Sequence, residues 1–237
     1  MGTLIRAPLP PTPTLGASPQ LDVVNWRRLV VVFAISQTFT FVALMGAFPI
    51  VLSSMATDLG VSRTAIAVAS TCATLTGAAA AFPAGRLMDR RGGRLTMTAG
   101  SVLGIVGVVA WSRVESLPAL YLAFAVIGVA QALSMYEAAF AVLVVATEPE
   151  HRDRSILVMT MIAGLTTYLA SPVLGWLHVQ LGWRDALLVL AATLALFALP
   201  GHLLAVPARA VHVRRKRRRS GVSLRDALRQ RLSLIHI

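Results

Sequence analysis

The sequence predicts an all-α membrane protein that crosses the bilayer six times. Hydrophobic residues make up 56% of the 237-residue chain and charged residues only 14%, whereas soluble domains are about one quarter charged. Apolar segments long enough to cross ~30 Å of hydrocarbon recur along the chain. The net charge of +12 does not indicate a nucleic-acid-binding protein, because the basic residues fall in short stretches between and after the apolar segments, as expected for a bilayer protein.

The chain divides into four predicted regions. Residues 1–25 contain five prolines and few apolar residues, and we expect them to form a disordered cytoplasmic tail. Residues 26–208 form the membrane bundle, which begins with an interfacial W-R-R anchor. Residues 209–231 form a basic cytoplasmic central loop, and residues 232–237, L-S-L-I-H-I, are expected to be a truncated or foreign end.

Six segments are apolar and long enough to span the membrane. They are Leu29–Leu52, Thr64–Gly85, Leu95–Ser112, Leu117–Thr147, Ser155–Leu181 and Ala186–Val206. In the third segment, Gly100 and Gly104 have the GxxxG spacing that lets another helix approach closely.

The basic residues predict the orientation of the bundle. Six crossings put both ends on one side, and all but three of the 22 lysine and arginine residues lie on that side. The exceptions are Arg63, Arg113 and Arg184. Since basic residues stay cytoplasmic, both termini are predicted to be inside. The composition, rich in arginine, alanine and leucine, favours the inner (plasma) membrane of a bacterium.

The connection between the second and third segments carries a motif. Gly85–Arg94 reads G-R-L-M-D-R-R-G-G-R, and it resembles the signature loop of major facilitator superfamily transporters, G-x-L-x-D-(R/K)-x-G-(R/K)-(R/K). The matching residues are Gly85, Leu87, Asp89, Arg90, Gly92 and Arg94. Gly93 departs from the pattern, because a basic residue is usual there. The tripeptide G-W-R at 182–184 and the basic loop after the sixth segment are similar to the same family.

This resemblance implies both architecture and function. A carrier of this kind has twelve spans in two halves, and each half consists of two inverted three-helix repeats. The chain resembles the N-terminal half, so a truncated reading frame is expected; a half-carrier that pairs with itself or a partner is the alternative. The implied function is secondary active transport of a small solute by alternating access, with protons as candidate coupling ions. The implied partners are the substrate, the lipid bilayer, and the missing C-terminal half or a second six-span bundle. No cofactor and no metal are expected.

The resemblance also implies a gating role for the motif. In the family, the aspartate matched by Asp89 faces the N-terminal end of a helix in the second half, pairs with nearby arginines and latches the cytoplasmic gate. Gly85 and Gly92 would allow close helix contact and a positive φ. The alternative is that the four arginines of the motif only set the topology.

Glu137 is the only carboxylate inside an otherwise apolar segment. A charge at mid-membrane costs ~2.5–3.5 kcal/mol, so it normally faces a cavity or a partner. Glu137, next to Tyr136, is therefore a candidate for proton coupling or for binding a cationic part of the substrate; an ion pair within the bundle is the alternative. Gln37, Gln131 and Tyr168 are candidates for substrate contact, with a hydrogen bond between helices as an equal alternative.

Two other classes of protein were considered. An intramembrane enzyme needs a nucleophile with its base, or paired carboxylates, at membrane depth, and the segments contain neither set, so no enzyme is predicted. A membrane protein that inserts without transporting remains an alternative. His178 and His202, near the ends of the last two segments, are expected at the membrane interface.

Overall fold

The computed structural model describes residues 26–207, and regular structure in this part of the chain is entirely helical. The predicted all-α class is thus confirmed for it. Five helical stretches are long and apolar enough to cross a membrane. They are α1 (Trp26–Asp58), α2 (Arg63–Arg91), α3 (Gly93–Ser112), α4 (Leu117–Ala146) and a final stretch, Pro149–Ala205. The expected tail 1–25 and the expected regions 209–231 and 232–237 lie outside the described residues.

Two of these helices are irregular. α1 contains a π-helical turn at Val42–Gly46 between the regular helices Trp26–Phe41 and Ala47–Asp58. α4 consists of Leu117–Ser134 and Tyr136–Ala146, separated by the extended residue Met135. Neither irregularity is visible in the apolar pattern, because both occur within continuous apolar segments.

The final stretch reverses direction at Gly182. This residue has φ 79° and ψ 167°, a backbone conformation that a side chain would strain. The reversal separates α5 (152–181) from α6 (183–205), in which π-helical turns occur at Leu194–Ala198 and Gly201–Ala205. α5 runs parallel to α1, and α6 runs antiparallel to α3 while it also contacts α1.

Contacts at both ends establish these directions. At the start of α5, His151 stacks on Trp26 with ring centroids 5.2 Å apart. Near the end of α5, the His178 Nε2 and Ser54 Oγ atoms are 2.8 Å apart. α5 therefore follows α1 over most of its length.

The two residues after the reversal, Trp183 and Arg184, join α6 to α1 and α3. Trp183 Nε1 donates to Asp58 Oδ2 at 3.1 Å, and Arg184 Nη2 lies 3.4 Å from the same oxygen. Arg184 Nη1 donates to the carbonyls of Ser112 and Val114, at 3.1 and 2.9 Å. One guanidinium thus satisfies backbone acceptors at the end of α3 while it pairs with the carboxylate that ends α1.

A polar layer separates two apolar clusters in the core. The Trp111 cluster contains Trp111 with its neighbours Phe48 and Phe124, and the Met97 cluster contains Met97 with residues near the start of α1 and near the end of α4. The polar layer lies between them on α1, α3, α4 and α6. It is formed by Ser36, Gln37, Ser101, Ser134 and His202, all of them buried.

His202 is fully buried within the bundle, in the last turn of α6. Its Nδ1 atom is 2.6 Å from Ser101 Oγ, and its ring meets the edge of Phe33 at a centroid distance of 6.3 Å. α6 ends at Ala205, close to the predicted end of the sixth segment, and the contacts of His202 could not be predicted from its position along that segment.

Glycines on α3 and α4 permit close helix contacts. A Cβ atom on Gly100 would lie 2.6 Å from Ser134 Cβ, and one on Gly104 would lie 3.3 Å from a Leu44 methyl carbon. The predicted close approach at this GxxxG pair is confirmed. Gly128 on α4 is tighter still, because a Cβ there would overlap the Ala73 carbonyl and the Thr76 hydroxyl of α2.

Gly128→Ala should lower the stability of the bundle by about 1–3 kcal/mol, because the added methyl must push α2 and α4 apart. Thermal unfolding of the detergent-solubilised chain measures the loss. Gly164→Ala is the matched control, since a Cβ at residue 164 has no neighbour within 4 Å and alanine favours a helix. Equal melting temperatures for the two variants would contradict the close contact.

Candidate functional site

The motif between α2 and α3 forms a one-residue break and not a loop. α2 continues through the motif to Arg91, and α3 begins at Gly93. The residues predicted to form a loop after Gly85 are therefore helical as far as Arg91. Arginine is a good helix former, so charged residues that leave the hydrocarbon can still extend the helix. Gly92 ends it, with φ 90° and ψ 164°, which confirms the positive φ expected there.

Gly93 departs from the family pattern for a steric reason. It is buried, and a Cβ at this position would overlap Val142 Cγ2 on α4. The start of α3 therefore packs directly against α4, and a longer side chain there would force the helices apart.

The remaining motif residues have different surroundings. Arg94 Nε donates to the carbonyl of Val206 at 2.7 Å, which joins the start of α3 to the end of α6. Leu87 is half-buried, whereas Asp89 and Arg90 are exposed. Gly85 is also exposed, and a Cβ there would meet open space. The expected close helix contact at Gly85 is thus not made within residues 26–207.

The Asp89 carboxylate makes no ion pair or hydrogen bond within the described part of the chain. The expected pairing with nearby arginines is not observed there. The guanidinium of Arg86 instead lies 4.2 Å from the centroid of the Phe82 ring. Asp89 thus remains exposed at the end of α2.

The break in α4 exposes a backbone carbonyl that Gln37 satisfies. Met135 has φ −81° and ψ −166°. In a regular helix the Ala138 amide would donate to the Ser134 carbonyl, but here it donates to the Met135 carbonyl at 3.0 Å. Gln37 Nε2 donates to the Ser134 carbonyl instead, at 2.8 Å. Lipid offers no hydrogen bonds, so this replacement is what makes the break tolerable.

Gln131 makes the reciprocal contact. Its Nε2 atom donates to the carbonyl of Leu44, at 2.9 Å, in the π-helical turn of α1. In π-helical register this carbonyl would face the nitrogen of Pro49, which carries no hydrogen. Each glutamine thus satisfies the backbone of the other helix at an irregularity.

A groove of about 480 Å³ lies between α2 and α4, with Met45 of α1 at its side. Four of the predicted site residues line it: Gly85 of the motif, and Gln131, Tyr136 and Glu137. The volume falls within the range of about 300–1,000 Å³ typical of small-molecule sites.

Glu137 is exposed and lies in the first turn of the helix Tyr136–Ala146. The carboxylate has no ion-pair or hydrogen-bond partner among residues 26–207. The alternative of an ion pair within the bundle is thus not realised in the described part of the chain. Unpaired amides in the first turn of a helix favour a negative charge. Because the break at Met135 starts a new helix, it helps to accommodate the Glu137 carboxylate.

Tyr136 supplies an aromatic wall beside Glu137. Its ring centroid lies 5.9 Å from that of Phe140 and 6.3 Å from that of Phe41. Gln37 is fully buried behind the groove. Tyr168, 81% exposed on α5, is not among the residues that line it.

Sequence reasoning missed most of the residues that line the groove, among them Met45, Thr74 and Met135. Met45 lies one turn before Pro49. Since proline causes helix irregularity, Pro49 could have drawn attention to Met45. Met135 is at a break with no proline or glycine beside it, so no local signal marks it.

The connection between α4 and α5 brings together residues of metal-ligating type, although no metal site was predicted. Glu148, Glu150 and His151 each place one possible ligand atom within 4.8 Å of the others. The two glutamates are exposed, and the His151 ring is stacked on Trp26. Exposed acidic groups commonly lie this close without a metal.

The sequence was compared with known families and proteins. The family model described as Major Facilitator Superfamily matches residues 33–235. The chain belongs to the major facilitator superfamily. It is therefore a multi-pass membrane transporter protein of the major facilitator kind, which implies a small-molecule substrate and contact with membrane lipid. No curated protein matched the chain.

Gln37→Leu should lower stability by about 1 kcal/mol, because the buried Ser134 carbonyl loses its donor. The loss stays modest because the substitution also removes Gln37 Oε1, a buried atom without a partner within residues 26–207. The melting temperature of the solubilised chain should fall by about 2–4 °C. Gln131→Leu is the comparison, and it should also lower the melting temperature, because the carbonyl of buried Leu44 loses its donor. Unchanged melting temperatures in both variants would contradict this interpretation.

Proposed function

We propose that this chain forms the N-terminal six-span half of a secondary active transporter that moves a small solute by alternating access. Membership in the superfamily, with a groove that contains an unpaired carboxylate, is the observation that carries the proposal. The proton is the proposed coupling ion, and Glu137 is its proposed binding site.

Six crossings are supported by the reversal at Gly182. The final stretch of 57 residues would measure roughly 85 Å as one straight helix, far more than a bilayer requires. α5 and α6 separately have the lengths of single spans.

Two inverted repeats, α1–α3 and α4–α6, fit the contacts between helices. Inversion would relate α1 to α4 and α3 to α6. Gln37 and Gln131 join the first pair reciprocally. The second pair meets at both ends, through Arg94 with Val206 and Arg184 with Ser112, and both pairs are antiparallel.

The distribution of charge supports a cytoplasmic location for the start of α1 and the end of α6. The start of α1, the α2–α3 motif, the α4–α5 connection and the end of α6 share one end of the bundle, and this end holds most of the arginines. The opposite end holds Arg184 and Arg113, and by topology Arg63.

A second six-helix bundle is proposed to cover the groove, either from a longer form of this chain or from another chain. α2 and α5 expose many large apolar side chains that such a bundle or lipid would cover. Examples are Leu75, Phe82, Leu165, Tyr168 and Trp176. Rocking of the two bundles would expose the groove to each side in turn, and exposed Asp89 would latch its cytoplasmic end.

Glu137→Gln should abolish uptake driven by a proton gradient, reducing the initial rate at least about tenfold, because the amide cannot exchange a proton. The measurement uses proteoliposomes that contain this chain with a second six-helix bundle. Glu115→Gln, an exposed carboxylate outside the groove, is the matched control. Uptake that survives Glu137→Gln would make Glu137 structural, and uptake absent from the unmodified protein would favour a non-transporting membrane protein.

Asp89→Asn should weaken the latch and make the groove about two- to fivefold more accessible from the cytoplasmic side, the effect of losing ~0.3–1 kcal/mol at a helix terminus. Thiol labelling of an Ala81→Cys, Cys72→Ala protein in oriented vesicles measures accessibility. Asp153→Asn, an exposed aspartate at the start of α5, is the control. Unchanged labelling and transport in Asp89→Asn would refute the latch.

A further inference from the structure

Three buried polar atoms at the level of the polar layer have no hydrogen-bond partner among residues 26–207. They are Gln37 Oε1 and Thr40 Oγ1 on α1, and His202 Nε2 on α6. None of the three residues is more than 2% exposed. The hydrocarbon around the bundle supplies no hydrogen bonds, and an unpaired polar atom in such surroundings is costly. We therefore expect their partner to lie inside the bundle.

The packing of α6 on α1 brings these three residues together. The His202 ring meets the edge of the Phe33 ring on α1. Gln37 lies one helical turn beyond Phe33, on the same face of α1. Thr40 follows Gln37 by three residues and shares that face. The two unpaired oxygens of α1 thus belong to the face that His202 contacts.

α3 and α4 anchor the other ends of the same side chains. His202 Nδ1 lies 2.6 Å from Ser101 Oγ on α3, and Gln37 Nε2 donates to the Ser134 carbonyl on α4 at 2.8 Å. The two anchors are adjacent, because a Cβ on Gly100, the residue before Ser101, would lie 2.6 Å from Ser134 Cβ. One nitrogen of each side chain is thus fixed, and the second polar atom of each is left for another partner.

The free atoms define the chemistry of that partner. Gln37 Oε1 can only accept a hydrogen bond, whereas the Thr40 hydroxyl can donate and accept. His202 Nε2 donates in one neutral tautomer and accepts in the other. Among residues 26–207 no carboxylate, lysine or arginine is buried, so no opposite charge is present to hold an ion. A neutral molecule that both donates and accepts therefore fits all three atoms.

We propose that the polar layer binds one ordered water molecule between Gln37, Thr40 and His202. A buried water makes about three hydrogen bonds to polar groups that the protein leaves unsatisfied, and three such atoms lie together here. Water is also the smallest molecule of the required chemistry, which suits side chains buried this completely. The bound water links α1 to α6 within the bundle, apart from the groove, and no step of the proposed transport depends on it.

Radiolytic hydroxyl-radical labelling of the purified 237-residue chain in detergent tests the site without any substitution. Radicals formed from a bound water oxidise the side chains beside it, so Phe33, which contacts His202, should be labelled severalfold faster than Phe124. Phe124 is the matched control, because the two rings are 0% and 2% exposed and Phe124 lies in the apolar Trp111 cluster. Equal labelling rates for the two rings would overturn the water site.

A double-mutant cycle tests the link between α1 and α6. Gln37→Leu and His202→Phe should each lower the melting temperature, and the double variant should lose less than the sum, because the first substitution already removes the water. Ser54→Ala with His202→Phe is the control pair and should be additive, since Ser54 bonds to His178 at the opposite end of the bundle. Additive losses for Gln37→Leu and His202→Phe would contradict the link.

The two measurements together distinguish a bound water from direct contact between the side chains. Non-additive losses without faster labelling of Phe33 would overturn the water and show that Gln37 and His202 touch. Fast labelling of Phe33 that persists in the double variant would overturn the assignment of Gln37 and His202 as the ligands. If His202→Phe does not fold, the labelling of the unmodified chain still decides whether water is bound.

Discussion

The bundle depends on the need to satisfy backbone carbonyls where no water is available. α1 and α4 both depart from regular helix geometry at membrane depth, and a bare carbonyl in hydrocarbon costs several kcal/mol. Gln37 donates to Ser134, and Gln131 donates to Leu44. Because each bond starts on one helix and ends at an irregularity of the other, the two helices hold each other in register.

The groove is a consequence of this arrangement. The break at Met135 starts a new helix at Tyr136, and this places Glu137 in a first turn, facing the groove beside α2. Gly128 lets α2 approach α4 closely on one side, and the α2–α4 surface then opens into the groove. Thus α4, which the two glutamine bonds hold against α1, presents an unpaired carboxylate to the groove on its α2 side.

Much of this was predictable from particular residues. The apolar segments predicted the helices, and the spacing of Gly85–Arg94 predicted the family that the comparison confirmed. The sequence identified Gln37 and Gln131 as polar residues at membrane depth. It could not decide whether each one bonds to another helix or contacts the substrate. Gln37 proved to be buried within the bundle, whereas Gln131 both bonds to α1 and lines the groove. Tyr168 lies on α5, and no described residue of α5 lines the groove. Which helices border a cavity cannot be predicted without knowing how the helices pack.

By itself, the sequence determined the membrane class, the family and the distribution of charge between the two ends, because these follow from segment length, motif spacing and the cost of placing charge in lipid. The tertiary structure alone decided where α4 breaks, why Gly93 replaces a basic residue, and which polar groups face the groove. These depend on contacts between residues far apart in the chain, such as Gly93 with Val142 and Gln37 with Ser134. No local pattern encodes such contacts, since they exist only once the helices have packed.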